Sequence, residues 1–182
     1  MLPYHGKYPK LDPKSCVMPG AELAGDVVLK EFASIWQNCA LRGDVNKIVV
    51  GRYSNVQDNS VLHVDDEEAC ILGDYVTIGH GAIVHASTIE DNVLVGMGAI
   101  VLSGCHIGTG SIVAAGAVVK ENTTIPPYSL VVGIPAHIVR TDESQVERIH
   151  NQALKYKHLW TVEYGMLPDC GGEEYDKNAK IV

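Results

Sequence analysis

Phenylalanine occurs once in 182 residues, and the other scarcities of the chain are as telling. No apolar run approaches the roughly 18 residues that a membrane span needs, so no membrane insertion is expected. The start, Met1-Leu2-Pro3-Tyr4-His5-Gly6, has no basic segment leading into an apolar one, so no secretory signal is expected either. Cations are too few for a nucleic-acid footprint: 14 Lys and Arg stand against 22 Asp and Glu, a net charge of −8. The five cysteines (Cys16, Cys39, Cys70, Cys105, Cys170) are odd in number, widely spaced and without a C-x-x-C pair. They fit buried thiols in a reducing compartment, and the cytoplasm is the expected location.

What the chain has in quantity is Gly, 18 residues, together with Val and Ile crowded into its middle. The aliphatic residues keep a period of six: Leu72, Ile78, Val84, then Ile89, Val95, Val101, Ile107, Val113, Val119, Ile125 and Val131. The one irregular step is the five from Val84 to Ile89. Upstream the ladder continues through Val17, Leu23, Leu29, Ile35 and Leu41, then Val50, Val56 and Leu62. Two insertions interrupt it without losing phase, near Asn46-Lys47-Ile48 and at Asp65-Asp66-Glu67-Glu68, and read as loops extruded from a repeating coil.

On an α-helix every sixth residue would fall on a rotating face. A coil with three flat faces of six residues each returns every sixth side chain to the interior, and its turns stack as parallel strands about 4.8 Å apart. The pattern over about residues 17 to 135 resembles the hexapeptide repeat of left-handed β-helices. The expected fold is therefore an all-β, left-handed parallel β-helix with a C-terminal α-helix. Residues 1–140 form the coil domain with its lead-in, and residues 141–182 the helix and tail. The helix is expected over Glu143 to Trp160 with Asp142 as N-cap, because Val146, Ile149, Ala153, Tyr156 and Trp160 recur at spacings of three and four. The last dozen residues, with Gly171-Gly172 and mixed charges, are expected to be loose.

The coil arithmetic sorts the polar residues into columns. Arg42, His63 and His85 each follow an inward aliphatic residue and stack on one edge. Asp58 and His80 belong to the neighbouring edge, together with Gln57. His63 and His85 can share a metal within one chain. His80, five residues before His85, lies up to about 16 Å away along extended chain, so a three-His site would take it from a second subunit. Complementary half-sites on two edges of a three-sided prism close as a homotrimer. The remaining histidines (His5, His106, His137, His150, His158), the acidic run Asp65 to Glu68 and Cys105 are expected to serve as ordinary surface or packing residues.

The segments Arg42-Gly43-Asp44, Asn55-Val56-Gln57-Asp58, His63 and Gly79-His80-Gly81-Ala82-Ile83-Val84-His85 resemble the γ-class carbonic anhydrase family, over nearly the whole chain. The resemblance implies that His63 and His85 of one subunit and His80 of the next hold zinc, with ferrous iron or cobalt as alternatives. It also implies reversible hydration of carbon dioxide to bicarbonate by a metal-bound hydroxide. In its terms Gln57 hydrogen-bonds that hydroxide, Asn55 is a further polar site residue, and Tyr164 reaches the site. Arg42, Asp44 and Asp58 tie subunits together. Val45 stands where the best-characterised members carry an acid, and only sixteen residues separate His63 from His80 where those members have a longer acidic loop. Two rivals share the coil: an acyl-CoA-dependent acyltransferase with one His as general base, and a metal-holding trimeric scaffold without catalysis.

Overall fold

The computed structural model describes residues 1–182. The period of six is built as a parallel coil with three faces, each edge of which turns the chain towards the next. The strands Val61–His63, Ile83–His85, Ile100–Val101 and Val118–Val119 stack on the start of the long strand Ala40–Val50 and make the first face. Glu22–Leu29 pairs along both halves of Ala40–Val50, which bends round an edge so that Ile48, Val49 and Val50 lie between Val27–Leu29 and Cys70–Leu72. Thr88–Ile89, His106–Ile107 and Thr124–Ile125 extend this second face. The third face runs from Cys16–Val17 through Ser34–Ile35, Asn55–Val56, Thr77–Ile78, Leu94–Val95 and Ile112–Val113 to Ser129–Val132. His137–Thr141 closes it with an antiparallel pairing.

The in-phase aliphatic residues fill the interior: Leu41, Leu62, Val84, Val101 and Val119 on the first face are essentially sealed from solvent. Coils can approach this closely only where the edge carries no side chain in the way. A Cβ on Gly79 would stand 2.7 Å from the backbone nitrogen of Met97, one coil on. Another edge is built oppositely, with Phe32, Tyr53 and Tyr75 held at φ near +60°. Bulky residues rarely adopt that conformation. Here the rings stack on successive coils, Phe32 against Tyr53 and Tyr53 against Tyr75 at centroid distances of 4.8 and 5.0 Å.

The C-terminal α-helix spans Gln145–His158 and continues as a π-turn, Leu159–Glu163. It packs across the third face on Ile149 and Ala153, and Gln145 Nε2 donates to the Gly110 carbonyl at 2.7 Å. The helix starts later than the apolar spacing implies. Asp142 is spent on the preceding turn, its Oδ1 accepting from the Ser144 amide, so Ser144 takes the cap position without a side-chain cap bond. The tail is ordered against the coil rather than loose. The Glu173 amide donates to Tyr53 Oη at 3.0 Å, its carboxylate accepts from the Tyr75 hydroxyl, and Lys157 Nζ donates to its carbonyl. No helix is long and apolar enough to cross a membrane.

Candidate metal centre

Strand register puts the first column where the arithmetic expects it. Arg42 pairs with His63 and His63 with His85, so all three stack at the edge where the chain leaves the first face. Nδ1 of His63 stands 2.9 Å from Nε2 of His85. The other nitrogen of each ring is engaged. Nε2 of His63 meets Asp44 Oδ1 at 3.2 Å, and Nδ1 of His85 meets Ser103 Oγ at 2.8 Å. Asp44 also accepts from Arg42 and from the Val45 amide. Against the opposing effect of burial, these donors hold its carboxyl below the usual range. Burial, with the Arg42 cation adding, pushes His63 below the ordinary imidazole value. It therefore favours the neutral ring, the form that binds a metal.

The second column lies at the opposite edge of the same face, where the chain enters it. Asn55 pairs with Thr77 and Val56 with Ile78, which brings Gln57 beside Gly79 and Asp58 beside His80. Asp58 Oδ2 engages His80 Nδ1 at 2.8 Å, and His80 Nε2 has no partner in the chain. The His80 side chain is 44% exposed. Gln57 is buried and donates through Nε2 to Asn55 Oδ1 at 3.2 Å, while Asn55 Nδ2 donates to Thr77 Oγ1 at 2.9 Å. Beside Gln57 a cavity of about 230 Å³ is lined by Leu94, Met97, Ile112 and Ala115 and covered by Gln152 of the helix. Tyr164 is exposed, its ring 6.0 Å from that of Trp36, one coil before Gln57.

Nowhere in the single chain do three His, Cys, Asp or Glu side chains converge as a metal cluster. The chain holds two half-sets: His63 with His85 at one edge, His80 at the other. The first half-set fits a divalent transition ion. Asp44 can only accept, so Nε2–H of His63 donates to it and Nδ1 presents a lone pair to the neighbouring ring. Two nitrogens on one tetrahedral zinc ion stand roughly 3.3 Å apart, close to the 2.9 Å between these two. A carboxylate or hydroxyl on the far nitrogen is the usual support of a ligating imidazole.

Three residues near the site carry no signal in the period. Ser103 lies one position past the His85 column. Asp65, in the extruded loop, accepts from the amides of Glu68 and Glu67 and is half-buried, unlike the exposed Asp66, Glu67 and Glu68. Tyr156 packs edge-on to Trp36. Burial pushes its hydroxyl up to about 12, with the Asp58 carboxylate adding. Of the other histidines, His106, His150 and His158 pair with Glu90, Glu173 and Glu163. Cys105 is buried, donating to the Lys120 carbonyl.

Residues 86–121 match the family described as bacterial transferase hexapeptide (six repeats). A protein of Methanocaldococcus jannaschii named "Probable carbonic anhydrase" is 47% identical over 144 residues, 79% of this chain and 91% of that protein. Gamma carbonic anhydrase 1, mitochondrial, of Arabidopsis thaliana is 42% identical over 161 residues, covering 84% of this chain and 58% of the plant protein. Among solved structures, a hexapeptide transferase family protein from Anaplasma phagocytophilum superposes with a TM-score of 0.85 at 36% identity, covering 91% of this chain and 97% of that one. With a hexapeptide coil along its length and this identity over most of its residues, the chain belongs to the γ-class carbonic anhydrase family of hexapeptide-repeat proteins.

Proposed function

We propose that this carbonic anhydrase-like lyase hydrates carbon dioxide reversibly to bicarbonate at metal sites shared between the subunits of a homotrimer. The observation that carries the reading is the division of the ligands: His63 and His85 converge at one edge of the first face, and His80 stands at its other edge. Between these edges the outward residues of the face are apolar, with Val61 and Ile83 exposed in register with Ala40, Ile100 and Val118. A contiguous apolar stripe of this kind favours burial against another chain. Three such faces turned to a common axis bring each His80 edge to a neighbour's His63 edge.

His63, His85 and a neighbour's His80 would hold the ion, zinc first and ferrous iron or cobalt as alternatives. When bound, it supplies a Lewis acid that makes water acidic enough to react near neutral pH. The chain's own groups do the rest. Asp44 and Asp58 orient His63 and His80, and Arg42 keeps Asp44 ionised. Gln57, steadied by Asn55, offers its amide oxygen to orient the reacting water, and the apolar cavity next to it accepts carbon dioxide. Tyr164 lies against Trp36 on the same edge, one coil before Gln57. Five free thiols suit the cytoplasm as the compartment.

Metal content and carbon dioxide hydration measured on one anaerobically purified sample test this, alongside zinc-, iron- and cobalt-reconstituted protein. The reading expects about one metal per chain with hydration abolished by a chelator; full occupancy without hydration defeats it. A second reading, acyl transfer, draws on the transferase-family relative and on a cavity several times larger than carbon dioxide requires. Turnover of acetyl-CoA by metal-free protein would favour it.

A further inference from the structure

We propose that residues 176–182 form a strap that closes the cavity beside Gln57, latched by Asn151 and Arg148 of the C-terminal helix. The inference deepens the reading above, in which that cavity takes carbon dioxide, and it concerns a segment outside the candidate ligand set.

Asn151 and Gln152 stand three and four residues after Arg148 on the α-helix, so all three share one side of it. The tail is laid along that side. Asn151 is 6% exposed and holds the backbone of Asp176 from both directions. Its Nδ2 donates to the Asp176 carbonyl at 3.0 Å, and the Asp176 amide donates to its Oδ1 at 3.1 Å. A main-chain amide can only donate, so this pair fixes which end of the Asn151 side chain faces it. Past the latch the tail turns on itself. The Asn178 amide donates to Asp176 Oδ1 at 2.8 Å, and the Ala179 amide to the Asp176 carbonyl at 3.3 Å. Arg148 Nη2 then donates to the Ile181 carbonyl at 3.1 Å. The chain so held brings Val182 to the cavity, where it forms part of the wall with Gln57, Leu94, Ile112 and Gln152.

What keeps the strap down is a handful of hydrogen bonds. None of residues 176–182 is fully buried, and none belongs to a helix or strand. The bond from Arg148 is exposed, and competition from water leaves such a bond a small net worth. The helix beneath is a firm support, with Ile149, Asn151, Ala153 and Leu154 buried. A segment with few buried apolar contacts on such a support opens locally at far lower cost than the whole fold. With the strap down, Val182 walls the cavity beside Gln57; with it up, that side of the cavity opens to solvent. Lids that admit a substrate and then sequester it work in this way.

The test is the labelling rate of a thiol placed in the cavity wall, Ile112→Cys, in the assembled, metal-free protein. Ile112 is 9% exposed. A methanethiosulfonate reagent with peptide-resolved mass spectrometry separates that thiol from the five native cysteines. The expected result is slow labelling in Ile112→Cys alone. Adding Asn151→Ala or Arg148→Ala should speed it roughly 3- to 10-fold, the worth of one net hydrogen bond. Amide protection over residues 176–182 should fall by a similar factor while that of the helix holds. The Arg148 bond is at the surface, so Arg148→Ala tests the latch even where loss of the buried Asn151 disturbs the helix. Labelling that is equally fast with the latch intact, or a tail that loosens with no change at Ile112→Cys, overturns the strap. Failure of the carbon dioxide reading looks different: zinc-loaded protein would then not hydrate carbon dioxide while labelling still follows the latch.

Discussion

His63 and His80 lie at opposite edges of one face of the coil, each with a carboxylate on one ring nitrogen: Asp44 Oδ1 at 3.2 Å and Asp58 Oδ2 at 2.8 Å. On the proposed reading, two supported imidazoles at opposite edges of one face make the oligomer part of the site.

Subunit mixing tests that division directly. His80→Ala and His85→Ala proteins should each lose stoichiometric zinc while remaining trimeric. Refolding the two together should return zinc and hydration at a fraction of the sites, because some interfaces then pair an intact edge with an intact edge. Metal content and activity that stay at zero after mixing would sink the shared site.

Ile83 is 38% exposed and stands on the outward side of the strand that ends in His85. Ile83→Glu puts a charge into the apolar stripe, and burying it against another chain is costly. The expected outcome is a monomer by light scattering with the β signature retained and metal binding lost. A trimer of normal metal content would show that this face is not the interface.

Gln57 is buried beside the cavity, and its loss should be felt in the reaction rather than in metal binding. Removing one orienting hydrogen bond costs about 1–3 kcal/mol, so Gln57→Ala should lower kcat/KM by roughly one to two orders of magnitude. Zinc per chain should not change. Equal activity with equal metal would remove Gln57 from the mechanism.

Leu62 is fully buried between Leu41 and Val84 on consecutive coils. Leu62→Ala should destabilise the fold by about 2–5 kcal/mol, from lost transfer energy and the cavity left in a stack that cannot collapse sideways. Denaturant titration of the assembled protein checks the figure. A cost below about 1 kcal/mol would contradict the packing described here.

The docked tail should respond to acid. The Tyr75 hydroxyl, with His150 adding, holds the Glu173 carboxyl below its usual value against the effect of burial. A carboxyl whose folded pKa is depressed stabilises the folded form above its unfolded pKa, about 4.3 for Glu. That contribution is lost as pH falls through the folded value. Amide-exchange protection over residues 165–182, relative to the unstructured rate at each pH, should therefore be high at neutral pH and fall below about pH 4. In Glu173→Gln it should be lower at neutral pH and flatter through the acid range. An unmodified tail whose protection ignores acid would refute the role of the clasp.

Much of this protein follows from a translational pattern. One residue in six is aliphatic, and a chain must bury such residues together, so the coil, its parallel strands and the stacking of Arg42, His63 and His85 can be counted along the sequence. The same count carries Asp58 and His80 to the next edge. It even takes in the four-residue extrusion before Cys70, since an insertion that preserves phase leaves the columns intact. What it cannot carry is anything that breaks the repeat. Asp65 sits inside that extrusion, and where its carboxylate stands depends on the path of a turn closed by the Glu67 and Glu68 amides. Tyr156 and Glu173 lie outside the six-residue repeat, placed by the helix across the third face and by the ring column of Tyr53 and Tyr75. Periodicity fixes where equivalent residues stand because burial repeats with the coil. Which polar groups then face one another is settled by directional hydrogen bonds between segments far apart in the chain, and only the folded structure brings those together.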